Sequence, residues 1–482
     1  MSILVLFWYR GYINLDPDLG WHLQMGNLIM LHGVPATDPF SFTMSSYPFV
    51  DHEWLSDVLL AESYKYLGMF WLSGIFSMLA LASLLIQNSL IRKHNSLLPI
   101  FLASIVLLGF VGIRVQVITW LLFSILLYMI FTPKIWDKFG KFLPLFFILW
   151  VNLHGGFGIG IFLLGLFVLF DFLETKLFQK KNLLILLLSL GATLVNPYGY
   201  RIWWEIWQQL SDTHLHSVIA EWMPGVFMLS PAFWLIIVIS FIFFVRYFNV
   251  YSLFERTLYF ILLLNSMATI RNIPFFAIVT IPLIGKGFNL FLEEVRSIPL
   301  AQIRWEKAYK GLIILTSFLI IPSTFILLGP QHMSTEDEFY PSAAVGYLKK
   351  YQTSGRVFSS YNWGGYLIWK LPEKKVFIDG RMPSWRWDTS NPQDSDYAYS
   401  DYEGILAGRL SFQKEAFKYN IDTVLWPKHA NYKDSGIKKY LSSLLGTKPQ
   451  EDILVKQLDK MGMKIIYQDK VAVIYRIENS TD

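Results

Sequence analysis

Long apolar runs separated by short polar loops occupy the first 329 residues. Such runs predict membrane-spanning helices, because about 20 apolar residues cross the hydrocarbon core of a bilayer. A shorter apolar run at the N-terminus, Ser2–Ile13, brings the predicted number of spans to about eleven. The other ten predicted spans are Tyr66–Gln87, Leu97–Gly112, Val115–Thr132, Phe142–Leu153, Phe157–Leu173, Leu183–Val195, Ala232–Phe248, Thr257–Ile270, Phe275–Leu292 and Gly311–Gly329.

After residue 329 the chain becomes polar, and its apolar runs become short and alternating. Alternation with a period of two predicts strands, and Met463–Ile474 has a turn signal in its middle that predicts a hairpin. Helical patterns lie between these runs, so residues 330–482 predict an α/β domain. The predicted organisation is therefore a transmembrane module at 1–329, with its first external loop at 14–65, and a separate domain at 330–482. The other predicted segments of this domain are the strands Arg356–Ser360, Lys375–Asp379 and Thr423–Trp426 and the helices Ala343–Tyr351 and Tyr402–Tyr419.

Composition and charge support the prediction of a polytopic α-helical membrane protein. Hydrophobic residues make up 54% of the chain and charged residues 16%, against about 25% charged residues in a soluble domain. Fifteen Lys and Arg residues fall in alternate loops and only four in the opposite short loops. Basic loops stay in the cytoplasm, so the first loop and the C-terminal domain are predicted to lie outside the cell. The net charge of +5 therefore does not indicate nucleic-acid binding, and the absence of cysteine excludes a thiolate nucleophile or a Cys-ligated metal.

The first external loop has the strongest chemical signal in the chain. Asp16 and Asp18 are one residue apart, and no Lys or Arg occurs from residue 11 to residue 64. Carboxylates at the outer end of a span can act as a general base or can bind a divalent cation. A second acidic and aromatic group follows in the same loop. Simple exposure of the loop to water therefore explains the acidic residues less well than a functional role does. The other candidate binding residues of this loop are Trp21, His22, Asp51, His52 and Glu53.

Isolated polar residues occur at the outer ends of several other predicted spans. Each one alone is readily explained by a long side chain that reaches the membrane surface. All of them fall on the face that also carries the acidic loop, which favours a role in binding. Arg114, Arg201 and Arg271 together could bind a phosphate or pyrophosphate. The candidate binding residues of this set are His154, Asn196, Tyr198, Arg201, Glu221, Arg271 and Asn272.

Several motifs of the chain are similar to one known class. An external Asp pair after the first span, a multi-span core and an external C-terminal α/β domain resemble the GT-C class of integral-membrane glycosyltransferases. The resemblance is most specific in DPDLGWHLQMGNLIMLHGVPATDPFSF and DHEWLSD, and it extends to NLHGGF, NPYG, RNIPFF, NWGGYLIW and FIDGR. Within that class the chain resembles an uncharacterised bacterial branch.

The resemblance implies an enzyme that transfers a sugar from a polyprenyl-phosphate donor to a glycan, lipid or protein acceptor on the outer face of the membrane. Asp16 or Asp18 would be the general base or a metal ligand, and the metal would be a divalent cation such as Mg²⁺ or Mn²⁺. The resemblance also implies a multi-pass protein of the bacterial cytoplasmic (inner) membrane, with the C-terminal domain outside the cytoplasm.

Three other interpretations remain open from the sequence. A transporter or flippase for lipid-linked sugars would carry ionisable residues in mid-membrane and repeated broken helices, whereas the polar residues here lie at span ends. A polysaccharide polymerase or ligase would place its Arg and His residues in a large late external loop. A non-catalytic assembly protein of cell-envelope glycan synthesis would use the C-terminal domain to bind partners.

Overall fold

A computed structural model describes residues 2–91, 97–177, 179–228, 230–296, 335–351, 355–389, 391–428 and 452–477. The contacts divide the chain into two compact units whose segments alternate along the sequence. Unit 1 consists of Met1–Tyr12, Met69–Gly199 and Pro224–His332, and unit 2 consists of Ile13–Gly68, Tyr200–Met223 and Met333–Asp482. The predicted domain boundary at 329/330 and the predicted span Gly311–Gly329 lie outside the described residues.

Helices form most of the described structure. Helix α3 contains a sharp kink at Gly68, whose φ of 62° lies in the left-handed region that glycine adopts without steric cost. The helices up to residue 296 are α1 (Ser2–Ile13), α2 (Leu19–His32), α3 (Trp54–Asn88), α4 (Leu97–Leu108), α5 (Gln116–Phe131), α6 (Pro133–Phe139), α7 (Leu143–Leu153), α8 (Phe157–Thr175), α9 (Lys180–Ala192), α10 (Arg201–Ser211), α11 (Thr213–Val218), α12 (Pro231–Arg246), α13 (Leu253–Ala268) and α14 (Ile273–Arg296). The later helices are α15 (Ser342–Tyr351), α16 (Gly364–Lys370), α17 (Ala398–Leu406), α18 (Phe412–Tyr419) and α19 (Ile453–Lys460).

Within the described residues, three helices are long and apolar enough to cross a membrane alone: Trp54–Asn88, Phe157–Thr175 and Ile270–Val295. A fourth span results if the bent pair Gln116–Phe131 and Pro133–Leu153 is counted as one. The helical membrane protein is thus confirmed, but the number of about eleven spans is not, because several apolar helices are shorter than a bilayer crossing requires.

Unit 1 packs through small residues and aromatic rings. Trp150 of α7 lies directly against Gly160 of α8, where a side chain larger than hydrogen would collide with the indole ring. The Nε1 of Trp150 donates a hydrogen bond to the hydroxyl of Thr119 on α5. These contacts hold α5, α7 and α8 together at the connection that contains His154.

Unit 2 contains a four-stranded sheet in the order β1-β2-β4-β3. The strands are β1 (Arg356–Ser359), β2 (Ile421–Pro427), β3 (Lys464–Gln468) and β4 (Ala472–Arg476), with β1 parallel to β2 and the other pairs antiparallel. The predicted hairpin is confirmed as β3 and β4. The predicted strand Lys375–Asp379 is wrong, because this segment pairs only through an isolated bridge between Val376 and Ser41.

The single helix predicted at Tyr402–Tyr419 is also wrong. The structure has two helices there, α17 and α18, and the chain turns between them at Gly408, which has a φ of 72°. The sequence pattern missed the break because both helices place apolar residues toward the same core, at Ile405 and Phe412.

Candidate active site

Asp16 and Asp18 lie immediately before helix α2 in unit 2. Asp16 is buried, and its Oδ1 accepts a hydrogen bond from the backbone N–H of Asp18 at 3.0 Å. Asp18 is half-buried, and its Oδ1 accepts a hydrogen bond from the Nε1 of Trp21 at 3.1 Å. Asp16 therefore shapes the turn, whereas the Asp18 carboxylate is the more accessible of the two.

Close contacts at three glycines position this turn. A side chain at Gly20 of α2 would collide with the carbonyl of Gly365, and one at Gly365 would collide with the carbonyl of Pro17. Gly380 lies against the Asp18 carboxylate so closely that a Cβ there would overlap Asp18 Oδ1. The C-terminal segments thus form part of the wall around Asp18.

The environment of Asp18 favours its neutral form. Removal from water raises the pKa of Asp18 to about 7, and the charges of Asp16 and Glu221 act in the same direction. The charge of His22 and the hydrogen bond from Trp21 oppose this shift. A carboxyl group with a pKa near neutrality can both take up and release a proton at physiological pH.

Tyr361 and Glu221 are the next ionisable groups around Asp18. Burial raises the pKa of Tyr361 well above its usual value, and the charge of Asp18 is the largest of the electrostatic causes. Tyr361 consequently stays protonated and can act as a hydrogen-bond donor near the carboxylate. Glu221 follows α11 in the short 3-10 helix Ala220–Trp222.

His22, on the first turn of α2, lies between two carboxylates of the loop. Its Nδ1 is 2.6 Å from Asp57 Oδ1, and its Nε2 is 3.3 Å from Glu53 Oε2. His52 lies on the other side of Glu53, with 3.5 Å between its Nε2 and Glu53 Oε1. Asp51 accepts a hydrogen bond from the backbone N–H of Glu53 at 3.0 Å. The four predicted residues His22, Asp51, His52 and Glu53 therefore form one buried or half-buried cluster.

This cluster also contains imidazole and carboxylate groups that lie close enough together to bind one metal ion. One ligand atom each of His22, Glu53 and Asp57 lies within 4.8 Å of the others. In the part of the chain that the structure describes, this is the His and carboxylate group that fits a metal ion. Asp16 and Asp18 are outside this group, and metal binding by them stays a prediction.

Arg381 forms a buried ion network beside Asp18. Its guanidinium donates to both oxygens of Asp379 at 2.8 Å, and its Nη1 is 2.9 Å from Asp38 Oδ1. Burial alone would lower the pKa of Arg381, but the two carboxylates raise it, so the guanidinium stays charged. The rings of Phe40 and Trp385 lie about 5 Å from the guanidinium carbon, at 5.0 and 5.2 Å.

Arg201 and Glu205 of α10 belong to a neighbouring cavity of about 330 Å³. The Nη2 of Arg201 donates a hydrogen bond to the carbonyl of Pro48 at 2.8 Å. Burial raises the pKa of Glu205, and the charge of His52 opposes that shift. The remaining lining residues are Tyr47, Pro48, Val50, Tyr200, Trp204, Gln208, Arg386 and Trp387.

Three of the predicted binding residues in unit 1 stabilise turns. His154 ends α7, and its Nδ1 accepts from the N–H of Gly156 and lies 2.8 Å from the hydroxyl of Thr119. The amide of Asn196 donates to the carbonyls of Thr193 and Gly199 and accepts from the N–H of Tyr198. Arg271 and Asn272 are half-buried in the 3-10 helix Ile270–Asn272, also in unit 1. For these residues, and for the predicted Arg114–Arg201–Arg271 phosphate clamp, binding stays a prediction.

Several residues of the site were missed by sequence reasoning. An acidic residue on an otherwise apolar helix face is a usable signal, and Asp57 and Glu205 are buried residues of this kind. Tyr361, Asp379 and Arg381 lie in or beside the motifs NWGGYLIW and FIDGR, whose aromatic residues suit either sugar or lipid contact or a domain core, but the sequence does not connect these motifs with the first loop.

Comparisons with known proteins identify the fold. No protein-family model matches the sequence, and no curated protein matches it. Two crystal structures of the Archaeoglobus fulgidus oligosaccharyltransferase, one in the apo form and one tethered with an acceptor peptide, align with TM-scores of 0.57 and 0.55 at 11% identity. The two alignments each cover 88% of this chain, and they cover 69% and 68% of the two oligosaccharyltransferase chains. ArnT from Cupriavidus metallidurans, bound to undecaprenyl phosphate, aligns with a TM-score of 0.50 at 12% identity, over 98% of this chain and 96% of its own. All are GT-C glycosyltransferases.

The chain has the GT-C fold. The predicted resemblance is thereby confirmed at the level of the fold. In this GT-C chain the acidic first loop and the C-terminal segments belong to one compact unit, and the Asp18 turn lies within it.

The contact between Gly380 and Asp18 makes a specific prediction for this GT-C protein. Gly380→Ala places a Cβ on the Asp18 carboxylate and forces this side chain out of its position, which we expect to cost about 1–3 kcal/mol of the free energy of unfolding. Gly346→Ala is the matched control, because a Cβ at this exposed position in α15 meets nothing within 4 Å. Thermal unfolding compares the stability of the two variants, and equal stability would contradict the Gly380 contact.

Proposed function

We propose that the protein is a membrane glycosyltransferase that moves a sugar from a polyprenyl-phosphate donor to a hydroxyl group of an acceptor. The observation that carries the proposal is the position of Asp18: a half-buried carboxylate at the start of α2, held by Trp21 and lined by Gly380, in a chain with the GT-C fold. The undecaprenyl phosphate bound to ArnT and the acceptor peptide tethered to the oligosaccharyltransferase support a lipid-linked donor and a separate acceptor.

In the proposed mechanism, Asp18 accepts the proton of the acceptor hydroxyl group. The oxygen of that hydroxyl group attacks the anomeric carbon of the donor sugar at the same time. The new bond to the acceptor oxygen forms, and the bond between the anomeric carbon and the phosphate oxygen breaks. The polyprenyl phosphate leaves with the electron pair, and the configuration at the anomeric carbon is inverted. A single base is sufficient for this displacement, so no covalent nucleophile is required.

Two further parts of the site have supporting roles in this proposal. Asp16 holds the turn through the N–H of Asp18, and its charge contributes to the raised pKa of Asp18. Arg201, with the aromatic side chains around its cavity, is proposed to bind the polar part of a substrate, because aromatic faces and guanidinium groups suit sugars and phosphates. The reaction is proposed to take place on the outer face of the bacterial cytoplasmic membrane.

A transfer assay tests the proposal directly. The purified protein in liposomes is given polyprenyl-phosphate sugars that are radiolabelled in the sugar, together with an extract of envelope glycans and lipids as acceptors. We expect labelled sugar in the acceptor fraction and an equal amount of free polyprenyl phosphate. Nucleotide sugars serve as the control donors and should give no transfer. Movement of the intact lipid-linked sugar across the bilayer without cleavage would instead establish a flippase and refute the proposal.

A further inference from the structure

The transfer mechanism leaves the cluster around His22 without a role. His22 on α2 lies between Glu53 and Asp57, which occupy the end of the first loop and the first turn of α3. The exposed fractions of the three side chains are 8%, 6% and 0%. Ionisable groups are rarely buried so completely unless they are paired or bind a metal.

The distances within this cluster suit coordination. In tetrahedral sites with bond lengths of about 2.0–2.1 Å, ligand atoms are separated by roughly 3.3 Å. The His22 Nε2 and Glu53 Oε2 atoms are 3.3 Å apart. The opposite ring nitrogen, Nδ1, is 2.6 Å from Asp57 Oδ1, which is the contact that a carboxylate makes when it orients a metal-binding histidine. One ligand atom of each of the three residues lies within 4.8 Å of the others.

A separate observation points to a cation at the same place. Among the described residues, no N–H or hydroxyl group donates to the buried oxygens Asp57 Oδ2 and Asp51 Oδ2, whose residues are 0% and 1% exposed. The two carboxylates face each other closely enough to interact directly. The nearby permanent cation, Arg381, already binds Asp379 and Asp38. Two buried carboxylates in contact are stabilised by a shared proton or by a bound cation.

We propose that His22, Glu53 and Asp57 form a binding site for a transition-metal dication, with Asp51 next to Asp57 as a further carboxylate donor. One imidazole with carboxylates is a ligand set that suits Zn²⁺ or Mn²⁺ better than Mg²⁺ or Ca²⁺, which prefer oxygen ligands alone. The ion ties α2 to the start of α3 and so fixes the helix that begins at Asp18. A contribution of the ion to catalysis through the position of Asp18 rests on the proposed function, whereas metal binding itself does not.

Metal content is the decisive measurement, and it does not depend on activity. The full-length protein is purified through a tag without histidine and is analysed by inductively coupled plasma mass spectrometry. We expect about one Zn or Mn ion per chain, which is lost in His22→Ala and Glu53→Gln. His214→Ala is the matched control, because His214 is also paired with a carboxylate, Glu403 at 3.0 Å, outside the cluster. Retention of the ion by the His22 and Glu53 variants would refute the site.

A spectroscopic experiment covers the case in which those variants fail to fold. The wild-type protein is stripped with a chelator and titrated with Co²⁺. We expect visible d–d absorption bands that saturate at about one equivalent and that disappear when Zn²⁺ is added in competition. A wild-type protein that contains no transition metal on purification and shows no such bands with Co²⁺ would overturn the proposal, whatever its transferase activity.

Discussion

Asp18→Asn is expected to lower kcat for sugar transfer by about 10²–10⁴-fold, which is the contribution of a well-placed general base. The asparagine amide can still occupy the space beside Gly380 and accept the hydrogen bond from Trp21, but it cannot take up the proton of the acceptor hydroxyl. The loss should therefore appear in kcat, with little change in the binding of the lipid-linked donor. Initial rates with labelled donor and equilibrium binding of that donor separate the two effects.

Asp16→Asn is the matched control for this experiment. Its side-chain oxygen still accepts the N–H of Asp18, so the turn before α2 is kept. Only the charge of Asp16 is removed, and we expect a decrease in kcat of about tenfold or less, because a nearby like charge contributes only part of the pKa shift of Asp18. An Asp18→Asn protein that folds, inserts and retains turnover near the wild-type level would refute the assignment of the base.

The largest expected effect on stability is that of Arg381→Met. Removing this guanidinium leaves Asp38 and Asp379, whose side chains are 0% exposed, without their counter-charge. Breaking a buried ion pair from one side costs about 3–5 kcal/mol of the free energy of unfolding. Urea-dependent pulse proteolysis of the purified protein in detergent measures this change.

Arg386→Met provides the comparison within the same unit. Arg386 also pairs with both oxygens of an aspartate, Asp212, but its side chain is 47% exposed. Because this guanidinium is half exposed, and because Asp212 keeps the hydrogen bonds from the N–H groups of His214 and Leu215, we expect a loss of only about 1 kcal/mol. An equal loss in the free energy of unfolding for the two variants would show that burial does not make the Arg381 ion pairs more important for stability than the Arg386 pair.

The parts of the fold that follow from local patterns were predictable from the sequence. The β3–β4 hairpin has alternating residues around a turn, and the apolar helices have long hydrophobic runs, so both are visible in a window of a few residues. The acidic loop was identifiable because Asp16, Asp18, Glu53 and their histidines are close in sequence. The structure brings His22, Asp51, His52 and Glu53 together, whereas a shared role of this cluster with Asp16 and Asp18 stays a prediction.

The wall around Asp18 could not be predicted in the same way. Gly380 and Arg381 follow Asp18 by more than 300 residues, and a close approach between backbone and carboxylate leaves no periodic pattern in either segment. Asp57 was missed because it begins an apolar helix, where a single acidic residue resembles an ordinary helix start. The lengths of the spans also depend on kinks, such as the one at Gly68, that hydropathy does not register.

The division of unit 2 into three chain segments has a consequence for biosynthesis. Asp18 leaves the ribosome about 360 residues before Gly380 does, and at about 5–20 residues per second this interval lasts roughly 20–70 seconds. During that time the helices of unit 1 are made and inserted while the acidic loop waits without the residues that will enclose it. The surroundings of Asp18 are therefore complete only after the FIDGR motif has been made, and a chain that stops before this motif lacks both Gly380, which lies against Asp18, and Arg381, which pairs with Asp38 of the acidic loop.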